Sequence, residues 1–296
     1  MSRPPVVVLG PTASGKSDVA MAAASVVEGT EIVAVDAMQV YRGMDIGTAT
    51  PSSADRAHVP HHCLDLVEPS EPFTVTDYRA AYDRAVAAIA GRPLLVAGTG
   101  LYLAAVIDRL DVPGRWPDVR ALFAAKPLSD LWVKLIDLDP RAASRIDPGN
   151  RRRVERALEV SVGSGRPFSS YGPGVAAYPP TKAVMIGLRW PRPALAARIE
   201  RRVEAMMAAG LLDEVERVHA AGMSPTASQA LGYKELVDHL EGRCDLDEAL
   251  AAVVTRTRQF AVRQERWFRR DPRIRWIDVE DDPVAEAAPA VIDVLR

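Results

Sequence analysis

The feature that most constrains the fold is the octet Gly-Pro-Thr-Ala-Ser-Gly-Lys-Ser at residues 10–17. It fits the pattern G-x-x-x-x-G-K-[ST] at every fixed position, between the apolar run Val6–Leu9 and an alanine-rich segment that favours a helix. The N–H groups of such a loop surround phosphate oxygens, the lysine adds a positive charge, and the last serine offers a hydroxyl to Mg²⁺. The octet therefore predicts a bound di- or triphosphate. The predicted diphosphate- or nucleotide-binding residues are Gly10, Pro11, Thr12, Ala13, Ser14, Gly15, Lys16 and Ser17, with Ser17 as the Mg²⁺ ligand.

Length and composition are those of a globular protein. The chain has 296 residues, 48% of them hydrophobic and 26% charged, which is enough for one large domain or a domain with an insertion. No apolar run approaches the roughly 20 residues that span a bilayer, and residues 1–5 lead into the first apolar run without a signal-peptide core. We therefore expect a cytoplasmic protein without a membrane partner.

The two cysteines, Cys63 and Cys244, are far apart and have no C-x-x-C partner, which argues against a disulfide framework and a structural zinc site. Cys63 follows His61 and His62, so a metal site there stays open. A loop packed by its own side chains is the favoured interpretation, because this spacing is not typical of metal ligands.

Charge is unevenly spread along the chain. The net charge is only −2, yet residues 141–275 hold 24 Lys and Arg against 16 Asp and Glu, which leaves 13 against 23 elsewhere. A basic half joined to an acidic, phosphate-binding half indicates a large polyanionic partner as well as a small one, although a solvated surface can carry the same excess.

Two further apolar runs predict buried strands. Glu31–Asp36 ends in a carboxylate, and Pro93–Ala97 is followed by a tight turn that contains Thr99. The carboxyl ends of parallel strands form one rim, where ligands bind, so we expect Asp36 and Thr99 beside the octet. Residues 37–48 are predicted to form a loop whose many apolar residues are typical of a loop that packs over another part of the protein or a ligand. Thr76–Ile89 is predicted as a helix capped by Thr76.

The pattern changes after residue 112. Val119–Ile136 is predicted to be helical with an interruption at Pro127, although Leu131–Leu138 could be a strand, and Asn150–Ser161 is predicted as a basic helix before a loop at Pro167–Pro180. Ala183–Trp190 and Arg275–Val279 are predicted strands. The segments Ala194–Ala209, Leu211–Ala221, Ala230–Leu240 and Leu246–Phe268 are predicted helices. The fold class is therefore α/β, a P-loop NTPase-like parallel-sheet core (1–112 and 182–296, with C-terminal helices) carrying a helical insertion (113–181).

A phosphate loop alone is typical of enzymes that use ATP or GTP. No N-K-x-D signature is present, which disfavours a GTPase, whereas Asp36 could organise Mg²⁺ in a small-molecule kinase. The alternative is that the loop holds a diphosphate leaving group while the basic half binds nucleic acid. A non-catalytic RNA-binding module is a third hypothesis.

Several further segments resemble one known family over nearly the whole chain. Together with the octet, the order and spacing of these segments resemble the tRNA dimethylallyltransferases, also called tRNA isopentenyltransferases: Val35–Ala49, Pro60–His62, Ala97–Tyr102, Arg156–Val160 and Leu231–Glu235. The resemblance implies transfer of a dimethylallyl group from dimethylallyl diphosphate to N6 of the adenine immediately 3′ of the anticodon, at position 37 of tRNA, with Mg²⁺ as cofactor. Diphosphate is released.

The resemblance also implies roles for particular residues. Asp36 matches the family's catalytic aspartate, which accepts a hydrogen bond or proton from the attacking amine. Thr99 and Arg202 match the pair that contacts the diphosphate bridge, although Arg201 next to Arg202 leaves the register open. A helical salt bridge is the alternative role for either arginine.

The partners implied by the resemblance are the tRNA anticodon stem-loop and dimethylallyl diphosphate, bound by a monomer, with the insertion 113–181 contacting tRNA. The residues that fall where the family meets its tRNA are Asp36, Ala37, Met38, Gln39, Thr99, Arg120, Arg152, Arg153, Arg156 and Gln229.

Overall fold

The chain folds into two compact units in a computed structural model that describes residues 4–172 and 174–296. Residues 1–3 lie outside the described residues, as does residue 173 of the loop predicted at 167–180. One unit, called the core unit, combines the chain up to Asp108 with Tyr178–Arg296, and the other, called the insertion unit, is Arg109–Ala177. The division falls a few residues before the boundaries expected from the sequence.

A six-stranded parallel sheet forms the centre of the core unit, in the order β3-β2-β4-β1-β5-β6. The strands are β1 Val6–Leu9, β2 Thr30–Val35, β3 His61–His62, β4 Arg92–Ala97, β5 Val184–Arg189 and β6 Ile274–Asp278. Val8 pairs with Val96 on one side and with Ile186 on the other, and all three lie in largely apolar runs suited to a sheet buried on both faces. This arrangement confirms the predicted α/β fold.

Helices of the core unit pack against the sheet, and further helices form the insertion unit. Those of the core unit are α1 Lys16–Val26, α2 Ser53–His58, α3 Val75–Ala88, α4 Gly100–Ile107, α9 Arg192–Ala208, α10 Leu211–Ala221, α11 Tyr233–Leu240, α12 Leu246–Phe268 and α13 Pro283–Leu295. Those of the insertion unit are α5 Pro117–Ala124, α6 Leu128–Leu138, α7 Pro140–Ala143 and α8 Arg151–Ser164. No described helix is long and apolar enough to cross a membrane.

The insertion unit has its own small core. Phe123, Leu131, Leu135, Val154 and Leu158 are buried against one another. The strand considered for Leu131–Leu138 is wrong, because the apolar side chains recur at helical spacing on α6 and face α8. The predicted loop at Pro167–Pro180 contains a short 3₁₀ helix, Phe168–Ser170.

Two helix boundaries differ from the predictions for local reasons. Helix α3 is capped by Thr74, not Thr76, because Thr74 and Asp77 form a reciprocal capping box. The helix predicted from Ala230 begins only at Tyr233, since Gly232 at φ +87° stands at its N-cap and a separate 3₁₀ turn occupies Ala227–Gln229.

The sequence pattern missed helix α13. Its start is clear in the structure, where Asp282 caps it and Pro283 occupies its first position, but Pro289 lies inside it, and a proline normally indicates the end of a helix. Ala287, Val291 and Leu295 of α13 are buried in the same cluster as the apolar side of α1. The helix therefore supports the element that follows the phosphate loop.

Candidate active site

The phosphate loop joins the end of β1 to the start of α1. Ala13 and Gly15 adopt left-handed backbone angles, with φ of 62° and 83°, and no side chain caps α1 at Gly15. The N–H groups of the first helical turn are therefore available to an anion, which the helix dipole also favours. A Cβ at Gly10 would lie 2.8 Å from Ser14 Oγ, and one at Gly15 only 2.4 Å from Pro283 Cγ, so both glycines are needed for close packing.

Each residue of the octet has a distinct environment. Ser17 is exposed at the mouth of the loop, whereas Ser14 is fully buried and its Oγ has no hydrogen-bond partner among the described residues. Pro11 and Thr12 also take part in bonds that shape the loop: the Pro11 carbonyl accepts from Ser14 N, and Thr12 N donates to Gln264 Oε1 at 2.8 Å.

Lys16 provides the positive charge of the loop. Its Nζ lies 3.4 Å from the Pro11 carbonyl, and burial lowers its pKa to about 8, with Arg202 lowering it further and Asp36 and Asp18 opposing the shift. A cation whose charge is costly when the site is empty gains from an anion placed beside it. The site is therefore suited to a polyphosphate group.

Helix α9 presents two arginines to the phosphate loop. Arg198 Nε donates to the Ala13 carbonyl at 2.8 Å, and its guanidinium lies 4.5 Å from the centre of the Trp190 ring. Arg202 follows one turn later on the same face, where burial lowers its pKa and Asp36 and Asp18 favour its charge. Arg201 is exposed, so the register of the predicted pair favours Arg202. Arg198 was not predicted, although its i,i+4 spacing from Arg202 signals a shared face.

These elements enclose one large cavity of about 1310 Å³. The phosphate loop and three of the α9 arginines, 198, 201 and 202, line part of it, and its apolar lining includes Met21, Ile32, Ala34 and Val96. The lining thus includes both cationic and apolar groups, as a ligand with a charged head and a hydrocarbon group requires, and four aspartates as well.

Asp36 and Thr99 lie together on the rim formed by the ends of β2 and β4. Asp36 Oδ1 accepts from Met38 N at 2.8 Å, and Thr99 Oγ1 accepts from Ala37 N at 3.1 Å, which leaves the Thr99 hydroxyl proton available. A Cβ on Gly98 would lie 3.0 Å from Asp36 Oδ2 and 3.4 Å from Lys16 Cε. The carboxylate and the lysine therefore flank the same glycine.

The loop after Asp36 is fixed by a buried carboxylate. Glu214 of α10 accepts from the N–H groups of Asp45, Ile46 and Gly47 and from the Tyr233 hydroxyl. Tyr233 fills the space where Gly47 lacks a side chain, since a Cβ there would lie 2.4 Å from its ring. Gln39 Nε2 closes the loop on the carbonyls of Thr48 and Ala49. These hydrogen bonds fix the part of the loop that lines the cavity.

Helix α12 contributes two residues that the sequence did not reveal. Gln264 is 7% exposed and bridges the phosphate loop and the turn after β4, because it accepts from Thr12 N and donates to the Gly98 carbonyl. Trp267, one turn later, occupies the space beside Gly100, where a Cβ would lie 2.2 Å from the indole. The two contacts hold the turn that carries Thr99.

The other predicted tRNA-binding residues differ in how far their side chains are engaged. In the insertion unit, Arg152 and Arg153 are exposed, whereas Arg120 lies 3.8 Å from both Glu155 and Glu159. Arg156 donates to Glu159 and to the carbonyls of residues 113 and 114, so its guanidinium is engaged within the unit. In the core unit, Gln229 is exposed in its 3₁₀ turn, and Ala37 and Met38 are half-buried.

The His61–Cys63 segment does not gather ligands in the described part of the chain. His61 Nδ1 bonds to the Val59 carbonyl, His62 Nε2 to Glu31, and Cys63 is buried as a free thiol. Among the described residues no three potential ligands cluster around a metal position.

Comparison with known proteins identifies close relatives of the chain. A family model described as IPP transferase matches residues 39–271, a range that includes Thr99, Arg202 and Gln264. A tRNA dimethylallyltransferase of Kineococcus radiotolerans is 46% identical over 99% of this chain and 96% of the relative.

Solved structures agree with these relatives. The full-length tRNA isopentenylpyrophosphate transferase from Bacillus halodurans is 35% identical, with a TM-score of 0.72 over 99% of this chain and 97% of that one. A eukaryotic dimethylallyltransferase acting on tRNA, 24% identical, has the same fold with a TM-score of 0.82 over 98% of this chain and 78% of that one.

Proposed function

The chain belongs to the IPP transferase family, and we propose that it transfers a dimethylallyl group from dimethylallyl diphosphate to N6 of the adenine 3′ of the tRNA anticodon. This proposal rests on one observation: side chains with positive charge, suited to a diphosphate, lie close to a carboxylate around Gly98. Lys16 and Arg202 lie on the phosphate side, and Asp36 with Thr99 lies on the rim.

The reaction assigned to these groups is a displacement at the allylic carbon. The N6 nitrogen forms a bond to C1 of the dimethylallyl group, the bond from C1 to the bridging oxygen breaks, and diphosphate leaves with the electron pair. Asp36 accepts the proton that the amine loses, through the oxygen that does not bond to Met38 N. The Thr99 hydroxyl donates toward the bridging oxygen, and Lys16 and Arg202 stabilise the charge that develops on the leaving group.

The residues at the mouth of the phosphate loop fit a magnesium ion. The Ser17 hydroxyl is exposed beside the uncapped N-terminus of α1, and a hydroxyl together with diphosphate oxygens is the kind of donor set that Mg²⁺ prefers. When bound, the ion supplies further neutralisation of the leaving diphosphate. We propose Ser17 as its protein ligand.

A small-molecule kinase that uses ATP is the disfavoured alternative. Thermal shift separates the two, since a ligand that binds the folded state raises the melting temperature according to its affinity. We expect dimethylallyl diphosphate with Mg²⁺ to raise the melting temperature more than ATP with Mg²⁺ at equal concentration. A larger shift with ATP would favour the kinase.

The direct test is incubation with unmodified tRNA and labelled dimethylallyl diphosphate, followed by nucleoside analysis. We expect the label on the adenosine 3′ of the anticodon, and no label on a tRNA that carries guanosine at that position. Absence of label from every tRNA offered, at saturating diphosphate and Mg²⁺, would reject the proposal.

The tRNA surface, the location and the oligomeric state belong to the same proposal. Exposed arginines of the insertion unit, Arg152 and Arg153, are suited to phosphate contacts in the anticodon stem-loop. Since tRNA is the substrate, we place the activity in the cytoplasm. A monomer is sufficient, because one chain supplies every site residue named above.

A further inference from the structure

We propose that Gln264 is a positioning residue that sets the distance between the phosphate loop, which would bind the diphosphate, and the carboxylate of Asp36. The inference rests on the proposed function and adds a role for helix α12. Gln264 contacts neither substrate in this assignment. It acts through Thr12 on one side and Gly98 on the other.

The geometry of the bridge is direct. The Gln264 side chain accepts from Thr12 N at 2.8 Å and donates to the Gly98 carbonyl at 2.8 Å. The side chain is 7% exposed, and of the two bonds the one to the Gly98 carbonyl is buried and the one from Thr12 N is partly buried. One buried amide therefore ties the phosphate loop to the turn after β4.

Gly98 is where the two halves of the site meet. A Cβ on this residue would lie 3.0 Å from Asp36 Oδ2, 3.4 Å from Lys16 Cε and 3.5 Å from Gln264 Nε2. A shift of the Gly98 carbonyl would thus move the turn that carries Thr99 relative to Lys16. Trp267 holds the same turn at Gly100, so α12 sets its position at two points.

The chemistry of an amide suits this position. The bridge needs an acceptor for an N–H group and a donor for a carbonyl, and only a neutral group with both functions provides them without a charge beside Lys16. A carboxylate of the same size would accept from Thr12 N but repel the Gly98 carbonyl. An apolar side chain would leave both backbone groups buried and unpaired.

A displacement reaction is sensitive to such a spacer. The attacking nitrogen, C1 and the leaving oxygen must be close to collinear, and a misplacement of about 1 Å costs on the order of 100-fold in rate. Loss of the bridge should therefore slow the chemical step while both binding surfaces remain.

The experiment compares Gln264→Leu and Gln264→Glu with wild type and with the control Gln259→Leu, which changes an exposed glutamine of the same helix. Single-turnover rates are measured at saturating tRNA, dimethylallyl diphosphate and Mg²⁺. Dissociation constants for tRNA and for inorganic diphosphate with Mg²⁺ are measured separately, and melting temperatures verify folding. Gln264→Glu retains the size of the side chain, so it decides the matter if Gln264→Leu does not fold.

We expect single-turnover rates about 100-fold below wild type for both Gln264 variants, with dissociation constants within about threefold and Gln259→Leu unchanged. A folded Gln264 variant with a rate within about threefold of wild type would overturn the inference while leaving the proposed function intact, as would a loss confined to binding. Inactivity of the wild type on every tRNA would overturn the proposed function and this inference with it.

Discussion

The core unit and the insertion unit use arginine and lysine differently. In the core unit, Lys16 and Arg202 are drawn into a cavity, where burial lowers the pKa of each. In the insertion unit, Arg152 and Arg153 face solvent on α8, while Arg156 of the same helix is engaged by Glu159 and two carbonyls. Lys16 and Arg202 therefore lie where the proposed diphosphate would bind, whereas α8 divides its arginines between contacts within the insertion unit and the solvent-facing surface that we propose for tRNA.

The largest effect on turnover should come from replacing Asp36, the carboxylate of the proposed site in the core unit. Asp36→Asn retains size and the acceptor for Met38 N but removes the base, and general-base catalysis contributes typically about 10²–10⁴-fold. We expect turnover to fall by that factor with tRNA affinity unchanged, as measured by single-turnover kinetics and filter binding. Turnover close to that of wild type would remove Asp36 from the mechanism and with it the claim that the rim carries the chemistry.

Arg156 tests whether part of the insertion unit's charge serves folding. Arg156→Ala removes three hydrogen bonds and the nearer of the two arginines beside the buried Glu159, so the free energy of unfolding should fall by about 1.5–3 kcal/mol. Urea unfolding measures the change, and hydrogen exchange on α5 and α8 localises it.

The matched control for Arg156 is Arg152→Ala, one helical turn earlier and exposed, which should stay within about 0.5 kcal/mol of wild type. Equal stabilities for the two variants would contradict the division of the α8 arginines into structural and solvent-facing sets.

Lys16 gives the core unit a pH dependence that exposed charges lack. Its pKa is lowered to about 8 in the ligand-free site, mainly by burial, so the free protein loses the cation above that pH. Because the anion requires the charged form, affinity for inorganic diphosphate should weaken by up to tenfold per pH unit above about 8. Between pH 8 and 10.5 the Lys16 side chain is protonated in the unfolded chain and largely deprotonated in the folded one. Since the unfolded state then binds more protons, the contribution of Lys16 to the free energy of unfolding rises with pH over this range.

Lys16→Arg provides the control for this pH dependence, since a guanidinium stays charged throughout the range. Calorimetric titrations from pH 7 to 9.5 should show a break near 8 in wild type and none in the variant. A break of equal size in both would assign the dependence to another group.

The site residues that the sequence predicted are those whose reactive side chains come directly after a recognisable buried strand. The octet, Asp36 and Thr99 each follow a buried strand, so the parallel sheet brings them to one rim whatever the rest of the chain does. Arg202 could be separated from Arg201 only by the helical face that it shares with Arg198. The hydrogen bond between Gln264 and Thr12 joins residues 252 positions apart, and the local sequence around neither residue predicts it.

Glu214 was missed for the same reason as Gln264, because a carboxylate in the first turn of an amphipathic helix is typical of a solvated face. Its partners are backbone N–H groups about 170 residues earlier in the chain, which only the tertiary fold supplies. The positions of the octet, Asp36 and Thr99 could thus be predicted from local sequence, while the side chains that hold them in place could not.

The smallest effects should come from the exposed arginines of α8, and they test the surface half of the comparison. Arg152→Ala and Arg153→Ala should each weaken tRNA binding by about three- to tenfold. Each should also lower the steepness of log affinity against log salt by about 1, because binding that makes one phosphate contact fewer releases one counterion fewer. Turnover at saturating tRNA should stay within about twofold of wild type, since neither side chain belongs to the rim. The double variant should lower the slope by about 2 if the contacts are independent. Unchanged slopes would make both arginines ordinary surface charges. A loss of turnover at saturating tRNA would instead show that the insertion unit takes part in the chemistry, and the contrast between the two units would no longer hold.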